Sequence, residues 1–163
     1  MDFADAAKRT PLMFAAFQGH GGVVQFLVER GAALNLISGA EFTALDYALK
    51  GVEVAIAKFL HGRGAKLGDI ASVMSFICEK GEVELVKIAL TQNPPLDTLD
   101  GNGITGLHYA AIRGHTAVAA LLLEKGAGVD VKAKNGKTAL GFAQGAGNAE
   151  LIALLQKHGA QAV

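Results

Sequence analysis

The feature that most constrains this chain is that it repeats itself. Thr10, Thr43, Thr105 and Thr138 each open a similar segment, TPLMFAA, TALDYAL, TGLHYAA and TALGFAQ, and the first and last pairs both lie 33 residues apart. The 62 residues between Thr43 and Thr105 hold one interval of 29 and one of 33, which places a further repeat opening at Ser72 with SVMSFIC. Self-similarity at this period confines the fold to a stack of small units, because no unit of this size buries its apolar face alone.

A second landmark keeps the same register. Gly31 and Gly64, and again Gly126 and Gly159, are 33 apart and each is followed by alanine, while Asn93 takes the equivalent place in the third repeat. Glycine or asparagine there predicts a helix end in the left-handed region. Within a repeat the apolar residues fall at helical spacing twice, as in Leu12, Phe14, Ala15 and then Val23, Val24, Phe26, Leu27, so two short helices per repeat are expected. Leu12, Leu45, Met74, Leu107 and Leu140 form one apolar column, and Ala15, Ala48, Ala110 and Ala143 a column of small residues where first helices pack closely.

Composition excludes more than it selects. Fifteen basic residues balance fifteen acidic ones, so no net charge draws the chain to nucleic acid or an anionic membrane, and 51% hydrophobic content suffices for a continuous core. Cys78 has no second cysteine to pair with. The N-terminus MDFADAAKRT has no apolar signal core, and the longest strongly apolar run, Ala117 to Leu123, is too short to cross a bilayer. A soluble, cytoplasmic protein is the expectation.

The strings TPLMFAAFQGH, TGLHYAAIRGH, LLLEKGAGVD and DGNGIT resemble the signature of ankyrin repeats, over essentially the whole chain. The resemblance implies an all-α solenoid: helix-turn-helix units joined by short β-hairpin fingers, one domain over residues 1–163 with repeats near 3–34, 35–67, 68–96, 97–129 and 130–161. It also implies a protein-protein interaction module that binds a partner protein or peptide on the concave face and finger tips, without cofactor or metal. Two alternatives stay open: a scaffold or regulatory fragment of a larger ankyrin-containing protein, and a small inhibitor of a partner enzyme. Neither nucleic acid nor membrane is an expected partner, and the chain alone is expected to be monomeric. Asn35 further resembles the asparagine position that certain oxygenases hydroxylate in this family; the plainer reading is a loop asparagine satisfying backbone groups.

Departures from the pattern carry their own expectations. The stretch Leu67 to Ser72 is four residues shorter than its counterparts, since Gly68 to Ser72 spans 4 where Asn35 to Thr43 spans 8, so the finger before repeat three is expected to be missing. Val52 stands where Gly19, Gly81, Gly114 and Gly147 turn between helices, which suggests a turn shifted onto Gly51. Glu41 replaces Gly103 and Gly136, which predicts a looser finger turn.

Several strings look chemical and read better as architecture. GNGITG at residues 101–106 matches a dinucleotide-binding pattern, but no strand precedes it, and GKT at residues 136–138 lacks the upstream glycine of a phosphate loop, having Val131 there. His20 and His115 recur at one repeat position, which points to a hydrogen bond between neighbours rather than a metal; His108 is placed to tie a finger to its helix. Cys78 falls in the column of Ala16 and Ala111, as a small buried filler. No catalytic grouping is visible, and an enzyme is not expected.

Given the ankyrin register, the candidate partner-binding residues are Ile37, Phe42, Leu99, Asn102, Ile104, Lys132, Lys134 and Lys137 on the fingers, with Phe17, Ile112 and Arg113 at first-helix exits. Exposed apolar side chains gathered on one face distinguish a binding surface from an inert one. Phe42 and Ile104 in particular are expected to be surface residues that aspartate could replace without loss of stability, and the three lysines to suit an acidic segment of a partner.

Overall fold

The computed structural model describes residues 2–161, and ten α-helices run through them. They are α1 Pro11–Phe17, α2 Gly21–Glu29, α3 Ala44–Lys50, α4 Val54–Gly62, α5 Ile70–Lys80, α6 Val83–Leu90, α7 Gly106–Arg113, α8 Thr116–Glu124, α9 Ala139–Gly145 and α10 Ala149–Lys157. The chain divides into two compact units, Met1–Val73 and Met74–Val163, with the division inside α5.

Helices of seven to eleven residues are too short to persist alone, so each depends on its caps and on packing. The repeated threonines supply the caps. Thr10, Thr43, Thr105 and Thr138 are extended, and the Oγ1 of each accepts the backbone N–H three residues on, at 3.3 to 3.4 Å. In three repeats the third helical residue also reaches back to the cap N–H: Met13 Sδ at 3.3 Å, Asp46 Oδ2 at 2.6 Å and His108 Nδ1 at 3.1 Å. Ser72 does not play this part. Helix α5 begins at Ile70, and Asp69 Oδ1 accepts the Ser72 N–H at 3.1 Å, so the cap of the third repeat lies earlier than its threonine counterparts.

At the other ends, Gly31, Gly64, Gly126 and Gly159 have φ of 83° to 93° and Asn93 has φ 50°, the left-handed exits the sequence predicts. The inter-helix turn of repeat two is not shifted. Gly51 is right-handed at φ −76°, and Val52 itself takes φ 61° beside the 68° to 78° of Gly19, Gly81, Gly114 and Gly147. Gly51 is needed for a different reason: a Cβ there would lie 2.5 Å from the carbonyl oxygen of Phe17.

In the first unit α1 packs on α2 and α3, α3 on α4, and α2 on α4; in the second, α7 packs on α8 and α9, α9 on α10, and α8 on both α6 and α10. The predicted columns lie in the core: Leu12, Leu45, Met74, Leu107 and Leu140 are all buried, as are Ala15, Ala48, Ala110 and Ala143. Burying a leucine or methionine is worth about 1.5 to 3 kcal/mol, so the leucine column contributes on the scale of a domain's whole net stability, while the alanine column lets the first helices approach closely.

The fingers close as turns. Asp5, Ser38, Asp100 and Ala133 each donate their N–H to the carbonyl four residues on, at 2.9 to 3.1 Å, and accept the N–H of Lys8, Glu41, Gly103 or Gly136 at 2.8 to 3.0 Å. Glu41 adopts φ 64° within this bonding, so its turn matches those built on glycine and is not looser. Neighbouring fingers are joined by Gly39 N–H to the Ala7 carbonyl at 2.8 Å in the first unit and Lys134 N–H to the Gly103 carbonyl at 2.9 Å in the second. None of the described residues forms a β-strand; what closes each finger is this pair of backbone hydrogen bonds.

The finger before repeat three is absent, as its length requires, and a specific exchange accompanies the loss. In repeat four His108 Nδ1 accepts from Thr105, leaving Nε2–H to donate to the Val131 carbonyl of the next loop at 3.0 Å. In repeat two the same helical position holds Asp46, which only accepts, and the short loop presents the Gly68 N–H to Asp46 Oδ2 at 2.7 Å. Thr43 Oγ1 completes the fastening with a bond to the Lys66 carbonyl at 2.7 Å.

Candidate binding faces

In the first unit the fingers and first helices bring together aromatic side chains. Phe17 and Phe42 each meet the Tyr47 ring edge-on, with centroids 6.2 and 5.9 Å apart. Arg9 lies over Phe14 at 4.6 Å and Lys50 over Phe42 at 4.3 Å, while Asp5 binds the Arg9 guanidinium at 2.7 Å. That ion pair holds the Asp5 carboxyl below its ordinary range. Between these groups is a hollow of about 230 Å³ lined by Arg9, Met13, Phe14, Phe17, Gln18 and Tyr47. Phe17 is 46% exposed and Ile37 56%, whereas Phe42 is half-buried against Tyr47 and is not the free surface residue its finger position suggests.

In the second unit Leu99, Asn102, Arg113, Lys132, Lys134 and Lys137 are exposed, and Ile104 and Ile112 are half-buried. Asn102 donates to the Tyr109 hydroxyl at 2.9 Å, which donates in turn to Asp100 Oδ2 at 2.9 Å. Arg113 is not a bare cation: its guanidinium binds Glu79 at 2.5 Å. Lys137 lies 5.8 Å from the Phe142 ring and Lys80 5.3 Å from Phe76.

Sequence reasoning passed over one set of residues on these faces. Phe14, Tyr47, Phe76, Tyr109 and Phe142 are the fifth residues of the repeated segments, in the same 33- and 29-residue register as the caps. Phe14 is 42% exposed and the other four are half-buried, so every first helix presents an aromatic edge. The signal lay in the aligned segments, where the eye follows the caps and leucines instead.

The groups with chemical potential are occupied by architecture. Cys78 is buried, and burial pushes its thiol up to about 12, far from a thiolate at neutral pH. Its Sγ would be 2.9 Å from a Cβ at Gly106, which accounts for glycine there. His115 Nε2 bonds the Glu79 carbonyl at 2.9 Å, the neighbour contact expected of that position; His20, its counterpart in the first repeat, caps α2 without a side-chain hydrogen bond. Burial lowers the pKa of His108 from its ordinary value, against the opposing pull of the Val131 carbonyl. Asn35 Oδ1 accepts the Lys66 N–H at 2.7 Å, as Asp2, Asp97 and Asp130 accept from Ala33, Gly128 and Gln161. GNGITG forms the turn at Asp100 to Ile104 and the start of α7, with no strand before it among the described residues. No group of three or more His, Cys, Asp or Glu able to hold a metal occurs among the described residues, and no helix there is long and apolar enough to cross a membrane.

Comparison with known proteins agrees with the repeat architecture. The chain is 28% identical over 117 residues to a probable E3 ubiquitin-protein ligase, XBOS32, of Oryza sativa subsp. japonica, and 29% identical over 123 residues to the mouse protein fem-1 homolog A-like. The alignments cover 71% and 76% of this chain but only 18% and 14% of those proteins. A family model for ankyrin repeats matches residues 1–70 and 74–163, and the chain belongs to the ankyrin repeat family, whose members generally serve as protein-interaction modules.

Proposed function

We propose that this chain binds a protein or peptide through the faces made by its fingers and first helices, with no catalytic step and no cofactor, its five repeats serving as one binding domain. The observation that carries the reading is the hollow between Phe14, Phe17 and Tyr47, which is apolar, open and rimmed by Arg9. It suits an apolar side chain of a partner, since a few aromatic anchors supply most of the energy of such interfaces. In the second unit Lys132, Lys134 and Lys137 suit an acidic segment, through rate and specificity more than through affinity. Leu99, Asn102, Ile104, Ile112 and Arg113 complete the candidate set there, and Ile37 and Phe42 in the first unit.

The test is capture of binding proteins by the purified chain beside an Ile37→Asp, Leu99→Asp variant. The expected outcome is a protein retained by the wild type and lost by the variant at equal melting temperature. Undiminished retention by the folded variant would remove both residues from the binding surface. A second reading, a scaffold or regulatory segment of a longer protein, is favoured by the small share of each relative that the alignments cover. It predicts that the isolated chain retains no specific protein across a range of salt concentrations.

A further inference from the structure

Two finger turns of the second unit carry the same dipeptide, Asn102–Gly103 and Asn135–Gly136, 33 residues apart. Asparagine is chemically labile where the next backbone nitrogen can attack its side-chain amide carbon, and glycine in the next position brings no Cβ to obstruct the approach. Both asparagines are exposed to water. Both glycines have positive φ, 72° and 80°, and both donate their N–H to the carbonyl three residues back, that of Asp100 or of Ala133, at 2.8 Å. The backbone half of such a reaction is therefore alike in the two turns, and the side chains decide between them.

Those side chains are held differently. Asn102 Nδ2, the nitrogen that would leave, donates to the Tyr109 hydroxyl at 2.9 Å. That hydroxyl donates to Asp100 Oδ2 at 2.9 Å, and Asp100 Oδ1 accepts the Asn102 N–H at 2.9 Å, so three bonds tie the amide to its turn and to α7. Tyr47, at the same position of repeat two, likewise donates to its own finger, at Ser38 Oγ, over 3.4 Å. In repeat five the residues corresponding to Tyr109 and Asp100 are Phe142 and Ala133, which bring neither hydroxyl nor carboxylate, so the tie that holds Asn102 has no counterpart. Asn135 Oδ1 instead accepts the Lys137 N–H at 3.1 Å, a bond that draws electron density away from the amide carbon to be attacked.

We propose that Asn135 is a site of spontaneous deamidation, a one-way covalent change from which Asn102 is spared by its tie to Tyr109. Hydroxide takes the Gly136 amide proton, and the nitrogen forms a bond to Cγ of Asn135. The Cγ–Nδ2 bond breaks, Nδ2 takes a proton from water and leaves as ammonia, and a five-membered succinimide remains. Water then adds to one of the two ring carbonyls, opening the ring to aspartate or to isoaspartate, in which the main chain runs through the former side chain. Either product places a carboxylate among Lys132, Lys134 and Lys137, so three positive charges are offset by one negative and the formal charge of residues 132–137 falls from +3 to +2. The consequence for binding rests on the reading of this finger as a seat for an acidic segment, which the converted chain would hold more weakly.

Ageing of the full chain in mildly alkaline buffer, followed by peptide mapping with mass spectrometry, tests the assignment. Asn135 is expected to convert at least about tenfold faster than Asn102, the ratio that hydrogen bonds of this kind support. Tyr109→Phe removes one hydroxyl from a half-buried ring. With the circular dichroism spectrum unchanged, it is expected to bring Asn102 to within about threefold of the Asn135 rate and to leave Asn135 as it was. A second measurement needs no variant: in urea, where the tie is lost, the two asparagines are expected to convert at matching rates. Equal rates in the folded wild type, an Asn102 rate indifferent to Tyr109→Phe, or a difference that persists in urea would each overturn the proposal; the last would assign the difference to the flanking sequence. None of these readouts uses a binding partner, so the modification and the binding role of the finger can fail separately.

Discussion

A β-branched residue in the left-handed region is the most strained local feature of the chain. Val52 sits at φ 61° because the turn between α3 and α4 demands it, and the four equivalent glycines show what the turn prefers. The left-handed conformation costs a side-chain-bearing residue about 1 to 2 kcal/mol, against which glycine loses about 0.5 to 1 kcal/mol through the unfolded chain. Val52→Gly is therefore expected to stabilise the protein by about 1 kcal/mol, seen as a melting temperature higher by about 2 to 4 °C; an unchanged or lower melting temperature would show the turn to be relaxed. This explains why the sequence misled at Val52 and Glu41. Propensity places glycine where φ must be positive, so another residue there reads as a moved turn, whereas packing and two backbone hydrogen bonds hold the turn in place.

Among the elements, the short loop between α4 and α5 is the most tightly specified. A Cβ on Gly68 would stand 2.1 Å from the Glu41 carbonyl oxygen and 3.0 Å from Asp46 Oδ2, neither of which is a flexible side-chain end. Gly68→Ala is expected to cost about 2 to 3 kcal/mol by overpacking and by loss of the Gly68 to Asp46 bond, measured by urea denaturation; a variant within 0.5 kcal/mol of wild type, taken as roughly the scatter of surface changes, would mean that the loop swings clear. Asp46 has a pH consequence. Burial raises its pKa above the ordinary aspartate value, outweighing the N–H groups of Thr43 and Gly68 that stabilise the anion, and Oδ1 has no hydrogen-bond partner. Between the unfolded and folded pKa values the folded state holds the proton more firmly, so this carboxyl's contribution to stability is greatest at low pH and declines as pH rises through the folded value. Asp46→Asn removes that dependence, and its stability relative to wild type is expected to rise with pH above about 4; a flat difference from pH 3.5 to 7, taken as roughly the span in which such a group titrates, would refute the assignment. The missing finger was legible as a count of residues, but the bond that replaces it joins positions 22 apart and reverses a donor and an acceptor, which periodicity does not encode.

For the molecule as a whole, the period in the sequence carried nearly all of the helix pattern, because caps, columns and left-handed exits recur at fixed offsets. Exposure was less legible. Finger residues look alike in sequence, yet Ile37 and Leu99 stand in water while Phe42 packs on Tyr47 and Ile104 is half-buried. That is why the binding test uses Ile37 and Leu99: aspartate at Phe42 or Ile104 would confuse lost binding with lost stability. The reversed bond at Asp46 also bears on how such a chain can be rearranged. A helix pair carrying histidine at that position needs a following loop that offers a carbonyl, whereas one carrying aspartate needs a loop that offers an N–H. An exchange of modules cut between α4 and the loop after it would join an acceptor to an acceptor, so the unit that can be shuffled intact is each helix pair together with the loop that follows it.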